Sequence, residues 1–155
     1  MNIEIFEKPA FAVIGREGST EDGPGFVQGL WAEANARFDE VVHLAKRDED
    51  GSFVGFWGVM TDFSRSFQPW EADFSQGLYL AGVECTDDAV APAGWTRWEI
   101  PGFVYLKAAC GSPALFPDML EYLRQQGLEL AGAVQDFTDP TSGQSFIMFP
   151  IRRLL

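Results

Sequence analysis

Two glutamates set among aromatic residues are the best candidates for acid–base chemistry in this chain. Glu84 closes the run YLAGVE, and Glu71 sits in QPWEADF beside Trp70. Either carboxylate could take a proton from water and pass it on, provided that it faces a cleft. Tyr79 and Tyr105 lie in β-patterned runs, and a buried tyrosine hydroxyl wants a partner, so each could donate to a ligand carbonyl. Gln135 stands in the otherwise apolar run GAVQDF, where a buried amide needs hydrogen-bond partners. Trp31, beside the apolar stripe of the first helical pattern, could roof a cleft. With 14 Phe and 5 Trp, the chain has aromatic residues enough to wall one as well as to fill a core.

Other chemistries are set aside by what the sequence lacks. The only histidine, His43, stands among charged residues at the end of a helical pattern. That removes a histidine metal cluster and a Ser-His-Asp triad, and no metal or other cofactor is expected. Cys85 and Cys110 lack CxxC spacing and read as buried, reduced thiols. The glycines of REGSTEDGPG are interleaved with acids that would repel a phosphate. A net charge of −12, with no cluster of Lys or Arg, argues against nucleic acid and anionic membranes as partners. MNIEIF is no signal peptide, and no run approaches 18 apolar residues. A cytoplasmic protein of one domain, residues 1–155, monomeric or homodimeric, is the expectation.

The elements that must position these residues occur twice. IEIFEKPAFAVIG predicts a strand interrupted by Pro9, and a helical pattern of Phe26, Leu30, Ala34, Phe38 and Val41 or Val42 runs to about Ala45. FVGFWGVMTDF and GLYLAGVEC predict two further strands. The order returns in WTRWEIPGFVYLKAA, interrupted at Pro101, and in GSPALFPDMLEYLRQQG. There Ser112 is placed to cap, Pro113 to open and Gly127 to stop a helix. LELAGAVQDF and QSFIMFPIRR close the second unit. FEKPAF (6–11) echoes WEIPGF (98–103), and GVMTDF (58–63) echoes GAVQDF (132–137). The fold class read from this is α+β: duplicated βαββ modules forming an antiparallel sheet with two main helices and a central ligand cleft.

The duplication, WEIPGFVYL and the closing GAVQDFTDP…FIMFPI resemble the GyrI-like small-molecule-binding domain, over essentially the whole chain. That domain is also the effector-binding module of multidrug-responsive transcription regulators. With the first strand beginning near residue 3, a stand-alone binder of hydrophobic aromatic molecules is implied. In the regulator branch, a buried glutamate within a Glu-any-Tyr-any-Asp motif faces the pocket and attracts cationic drugs. The matching positions here are Gln135, Phe137 and Asp139, so the resemblance implies a neutral centre and a neutral ligand. Strand alternation puts Trp57, Val59 and Thr61 on one face and Ala133, Gln135 and Phe137 on the corresponding face of the repeat. If Gln135 faces the pocket, Trp57 and Thr61 do as well. The stretch WGVMTDFSRSFQPWEADFSQGLYLAGVE is similar to stand-alone members that hydrolyse cyclopropane-containing cytotoxins. That likeness implies a detoxifying hydrolase, with non-catalytic sequestration as the alternative and a gyrase-inhibitor-like interaction protein as a weaker one. Glu7 and Glu99, matched across the halves, are assigned a structural role.

Overall fold

The computed structural model describes residues 2–154. Eight strands form one antiparallel sheet: β1 (Ile3–Lys8), β2 (Phe11–Ser19), β3 (Phe56–Thr61), β4 (Leu78–Cys85), β5 (Thr96–Ile100), β6 (Phe103–Ala109), β7 (Gln135–Thr138) and β8 (Ser145–Arg153). Their order is β1-β6-β8-β7-β3-β4-β2-β5. Read from the other end, with β1–β4 exchanged for β5–β8, the order is unchanged. The chain is therefore two equivalent halves about a pseudo-twofold axis through the β3–β7 seam.

The prolines do more than interrupt a strand. Each N-terminal run is two strands that join different halves. β1 pairs with β6 of the second half, and β5 pairs with β2 of the first. Lacking an N–H, Pro9 and Pro101 each fall just past the last residue of a strand, where no ladder donor is required. The registers at the two crossovers match: Lys8 lies opposite Phe103, and Phe11 opposite Ile100. The unit is thus ββαββ, with the two first strands exchanged.

Helix α1 (Phe26–Ala36) is shorter than its apolar pattern predicts. Phe38, Val41 and Leu44 continue at a spacing of three residues, and the chain there forms two 3₁₀ turns, which place every third side chain in line. α2 (Glu71–Phe74) is a single irregular turn within the long β3–β4 loop. α3 (Leu115–Gln125) buries Leu115, Met119 and Leu123 against β6 and β8. The Ser112 hydroxyl accepts the Ala114 N–H one residue before the helix, and Gly127, at φ 69°, ends it in the left-handed region.

Both long helices cover the same sheet face. The other face packs Phe11, Val13, Trp57, Val59, Trp98 and Tyr105 into a core of its own. Cys85 is buried, whereas Cys110 is exposed rather than buried, and both thiols are free. Glu7 and Glu99 stand exposed near the ends of the two edge strands. Among the described residues, no helix is long and apolar enough to cross a membrane.

Candidate functional site

The seam between the halves is short. β3 and β7 share only the pairs Phe56–Thr138, Trp57–Phe137 and Gly58–Asp136. Past them the ladder stops, and Gln135 carries the connection by side chain, its Oε1 accepting the Met60 backbone N–H at 2.7 Å. On the helical face of this shortened seam lies a cleft of three lobes that meet at Asp136. The inner lobe, about 180 Å³, is walled by Met60, Trp70, Phe74, Phe116, Val134 and Ile147. A wider vestibule of about 520 Å³ runs along the start of α1, past Pro24 and Phe26. The third lobe lies between Trp31, Phe137 and Cys110.

Asp136 is the one carboxylate common to all three lobes. The Tyr79 hydroxyl donates to its Oδ2 at 2.8 Å and in turn accepts the Trp31 indole N–H at 3.1 Å. Gly58 makes this chain possible, because a Cβ there would overlap the Tyr79 hydroxyl. Among the described residues no Lys, Arg or His pairs with Asp136, and burial pushes its carboxyl above the ordinary aspartate value against the opposing Tyr79 hydrogen bond. Burial likewise pushes the Tyr79 phenol up, and the nearby Asp136 charge adds to it. The result is a carboxyl with one hydrogen bond and no cation partner, in aromatic surroundings.

The β3–β4 loop builds the outer wall. At its base, Asp62 accepts from the hydroxyls of Thr61, Ser64 and Ser66 and from the Ser66 backbone N–H. These donors outweigh the burial that opposes its charge and hold its carboxyl far below the usual range. Arg65 clamps the loop to Glu17 with two bonds of 2.8 Å. The tip then carries three consecutive left-handed residues, Ala72, Asp73 and Phe74. This conformation turns Phe74 edge-on to Phe116 on α3, with ring centroids 5.2 Å apart, while the Trp70 indole donates to the Leu78 carbonyl.

Of the residues singled out in the sequence, Trp31 and Tyr79 gather around Asp136, whereas the Phe137 ring packs on Trp57 on the opposite face, with centroids 4.6 Å apart. Trp57, Thr61, Tyr105 and Gln135 are buried on the opposite face of the sheet. Trp57 packs in that core, and Thr61 supports the loop by accepting the Phe67 N–H. The Gln135 Nε2 and the Tyr105 hydroxyl are buried without partners among the described residues. Glu84 is buried on that face too, with both oxygens 3.1 Å from Lys8 Nζ and a hydrogen bond from the Trp57 indole. Glu71 is exposed on the loop tip.

Gln135 thus lies on the face away from the helices, and the polar residue that the helical-face cleft receives is Asp136, one residue beyond it. Alternation names two faces without saying which one the helices cover, and Gln135 stands out in the sequence only as the polar anomaly of its run. The available signal was the aspartate shared by GVMTDF and GAVQDF. Among the described residues, no group of three or more His, Cys, Asp or Glu side chains is placed to hold a metal ion.

No family profile and no curated protein matches the chain. Solved structures do. The C-terminal domain of EcmrR aligns at TM-score 0.62 and 10% identity, over 99% of this chain and 98% of that one. EcmrR in its DNA complex aligns at TM-score 0.67 and 10% identity; this chain spans 58% of that protein's length and aligns over 99% of its own. SAV2435, solved bound to tetraphenylphosphonium, aligns at TM-score 0.58 and 17% identity, over 99% of this chain and 94% of that one. The likeness is one of fold. It is consistent with the GyrI-like architecture that the sequence motifs resemble.

Proposed function

We propose that this protein is a small-molecule receptor that takes a hydrophobic aromatic ligand, positively charged, into the cleft at Asp136. The observation that carries the reading is an uncompensated carboxylate at the meeting point of three aromatic-walled lobes. A desolvated cation there gains from the low local dielectric and from the faces of Trp31, Trp70 and Tyr79. The complex of SAV2435 with tetraphenylphosphonium supports the reading by analogy of fold.

Hydrolytic opening of cyclopropane-containing cytotoxins is the finer reading that the sequence suggests. It needs a base for water and a free donor toward a conjugated carbonyl. Glu84 and Glu71 lie outside the cleft, which leaves Asp136 alone to serve as a base, and the hydrogens of Tyr79 and Trp31 are already committed, so neither is free to polarise the carbonyl. Binding is thus the better-supported function. Its test is titration of the protein with planar aromatic cations and their neutral isosteres, followed by tryptophan fluorescence. Saturable quenching that favours the cations, and weakens in Trp31→Phe, is the expected result. No quenching across the panel would remove the reading. Mass spectrometry of the same mixtures would show ring-opened product if the protein were a hydrolase.

A further inference from the structure

The aromatic donors beside Asp136 are already committed. The Trp31 N–H goes to Tyr79, the Tyr79 O–H goes to Asp136 Oδ2, and the Trp70 N–H goes to the Leu78 carbonyl. Asp136 Oδ1 has no hydrogen-bond partner among the described residues. Of the groups that touch the Asp136 carboxyl, only its Oδ1 is therefore left to bind a ligand, as an acceptor when the carboxyl is ionised. A carbonyl, nitro or carboxylate group on a ligand finds no free donor in Trp31, Tyr79 or Trp70, and a ligand lacking a donor leaves Oδ1 desolvated and unpaired.

Size narrows the ligand further. The inner lobe is about 180 Å³, and a dry apolar cavity of about 150 Å³ holds a single benzene ring. Asp136 stands where this lobe meets the vestibule, so a ring inside and a charged nitrogen at the neck lie within a short linker of each other. A bulky onium with several rings would have to displace Phe74 or Phe116 to use the same lobe.

From these two constraints we infer that the ligand class is an arylalkylamine: one aryl group in the inner lobe, joined by a short chain to a protonated primary or secondary amine that donates an N–H to Asp136 Oδ1. Substituents on the nitrogen extend into the vestibule. The inference rests on the proposed binding function and specifies its chemistry. What selects the ligand is the donor as much as the charge.

Calorimetric titration of the full chain with four probes tests it: 2-phenylethylamine, 2-phenylethanol, trimethyl(2-phenylethyl)ammonium and tetraphenylphosphonium. A charge-assisted hydrogen bond predicts that the amine binds at least about tenfold tighter than the alcohol and the trimethyl analogue. Asp136→Asn, which keeps the side-chain shape, should erase that preference. Phe116→Trp, which fills the inner lobe, should weaken the amine and leave the protein folded by circular dichroism. If the trimethyl compound or tetraphenylphosphonium binds as tightly as the amine, this inference falls while the receptor reading stands. If none of the four binds and the planar cations do not quench tryptophan, both fall together.

Discussion

Replacing Asp136 with asparagine should stabilise the ligand-free protein, and by more as the pH rises. The carboxylate has one hydrogen bond and no cation. Burying an unpaired charge costs several kcal/mol after relaxation, and a hydrogen bond to a charged acceptor returns about 1.5–3 kcal/mol. The ionised form thus destabilises the fold by a net on the order of 1–2 kcal/mol, which an amide of the same shape avoids while still accepting from Tyr79. Because burial raises the folded-state pKa, the stabilising form is the protonated one. Its contribution is complete below the unfolded value of about 4 and is lost as pH climbs through the raised folded value. In a chain of this length 1 kcal/mol moves the melting temperature by about 2–4 °C, so Asp136→Asn should melt about 2–8 °C above the parent at pH 8. The two should converge near pH 4. Scanning calorimetry of both proteins between pH 4 and 8 is the assay. A variant that melts no higher at pH 8, or a gap that does not close on acidification, would refute the claim that this charge is unpaid for.

Three further outcomes follow from the same geometry. Gly58→Ala should expel the Tyr79 hydroxyl from its position and destabilise the protein by about 1–3 kcal/mol in chemical denaturation, by orphaning Asp136 and the Trp31 N–H together. Lys8→Met leaves Glu84 buried without its cation and should cost about 3–5 kcal/mol; the double variant Lys8→Met, Glu84→Gln should recover most of it, as a double-mutant cycle will show. Gln135→Leu removes the acceptor for the Met60 N–H at the seam; a loss of about 1–3 kcal/mol is expected, with faster hydrogen exchange at Met60 measured by NMR.

The duplication was legible because its signals are local: Pro placed between aromatic residues at 6–11 and 98–103, and the paired strand motifs. The exchange of β1 and β5 was not, since a strand's partner depends on contacts across the whole chain and Pro9 reads equally well as a bulge. The helical pattern to Ala45 was overextended, because residues spaced by three suit a 3₁₀ turn as well as the stripe of an α-helix. At the site, Tyr79 and Trp31 were identified from type alone. Asp136 is not legible as a site residue, because an aspartate ending a strand commonly stays solvated or fastens a turn. Asp62, which holds the same place in the motif GVMTDF, does fasten one, with donors on both oxygens. Identical letters in two repeats thus carry opposite chemistry, set by whether a loop rich in hydroxyls follows them.

The crossed strands say something about history and about dissection. A half-length chain with this pattern would have no β1 of its own against its β2, and would complete its sheet only by trading first strands with a twin. In such a twin the positions of Gly58 and Asp136, which face each other across the axis, would have been one and the same. Joining the copies into one polypeptide freed them to diverge, one becoming the glycine that admits the Tyr79 hydroxyl and the other the carboxyl that accepts it. Cut between β4 and β5, the present protein should accordingly yield fragments that are unstructured apart and regain the sheet only when mixed.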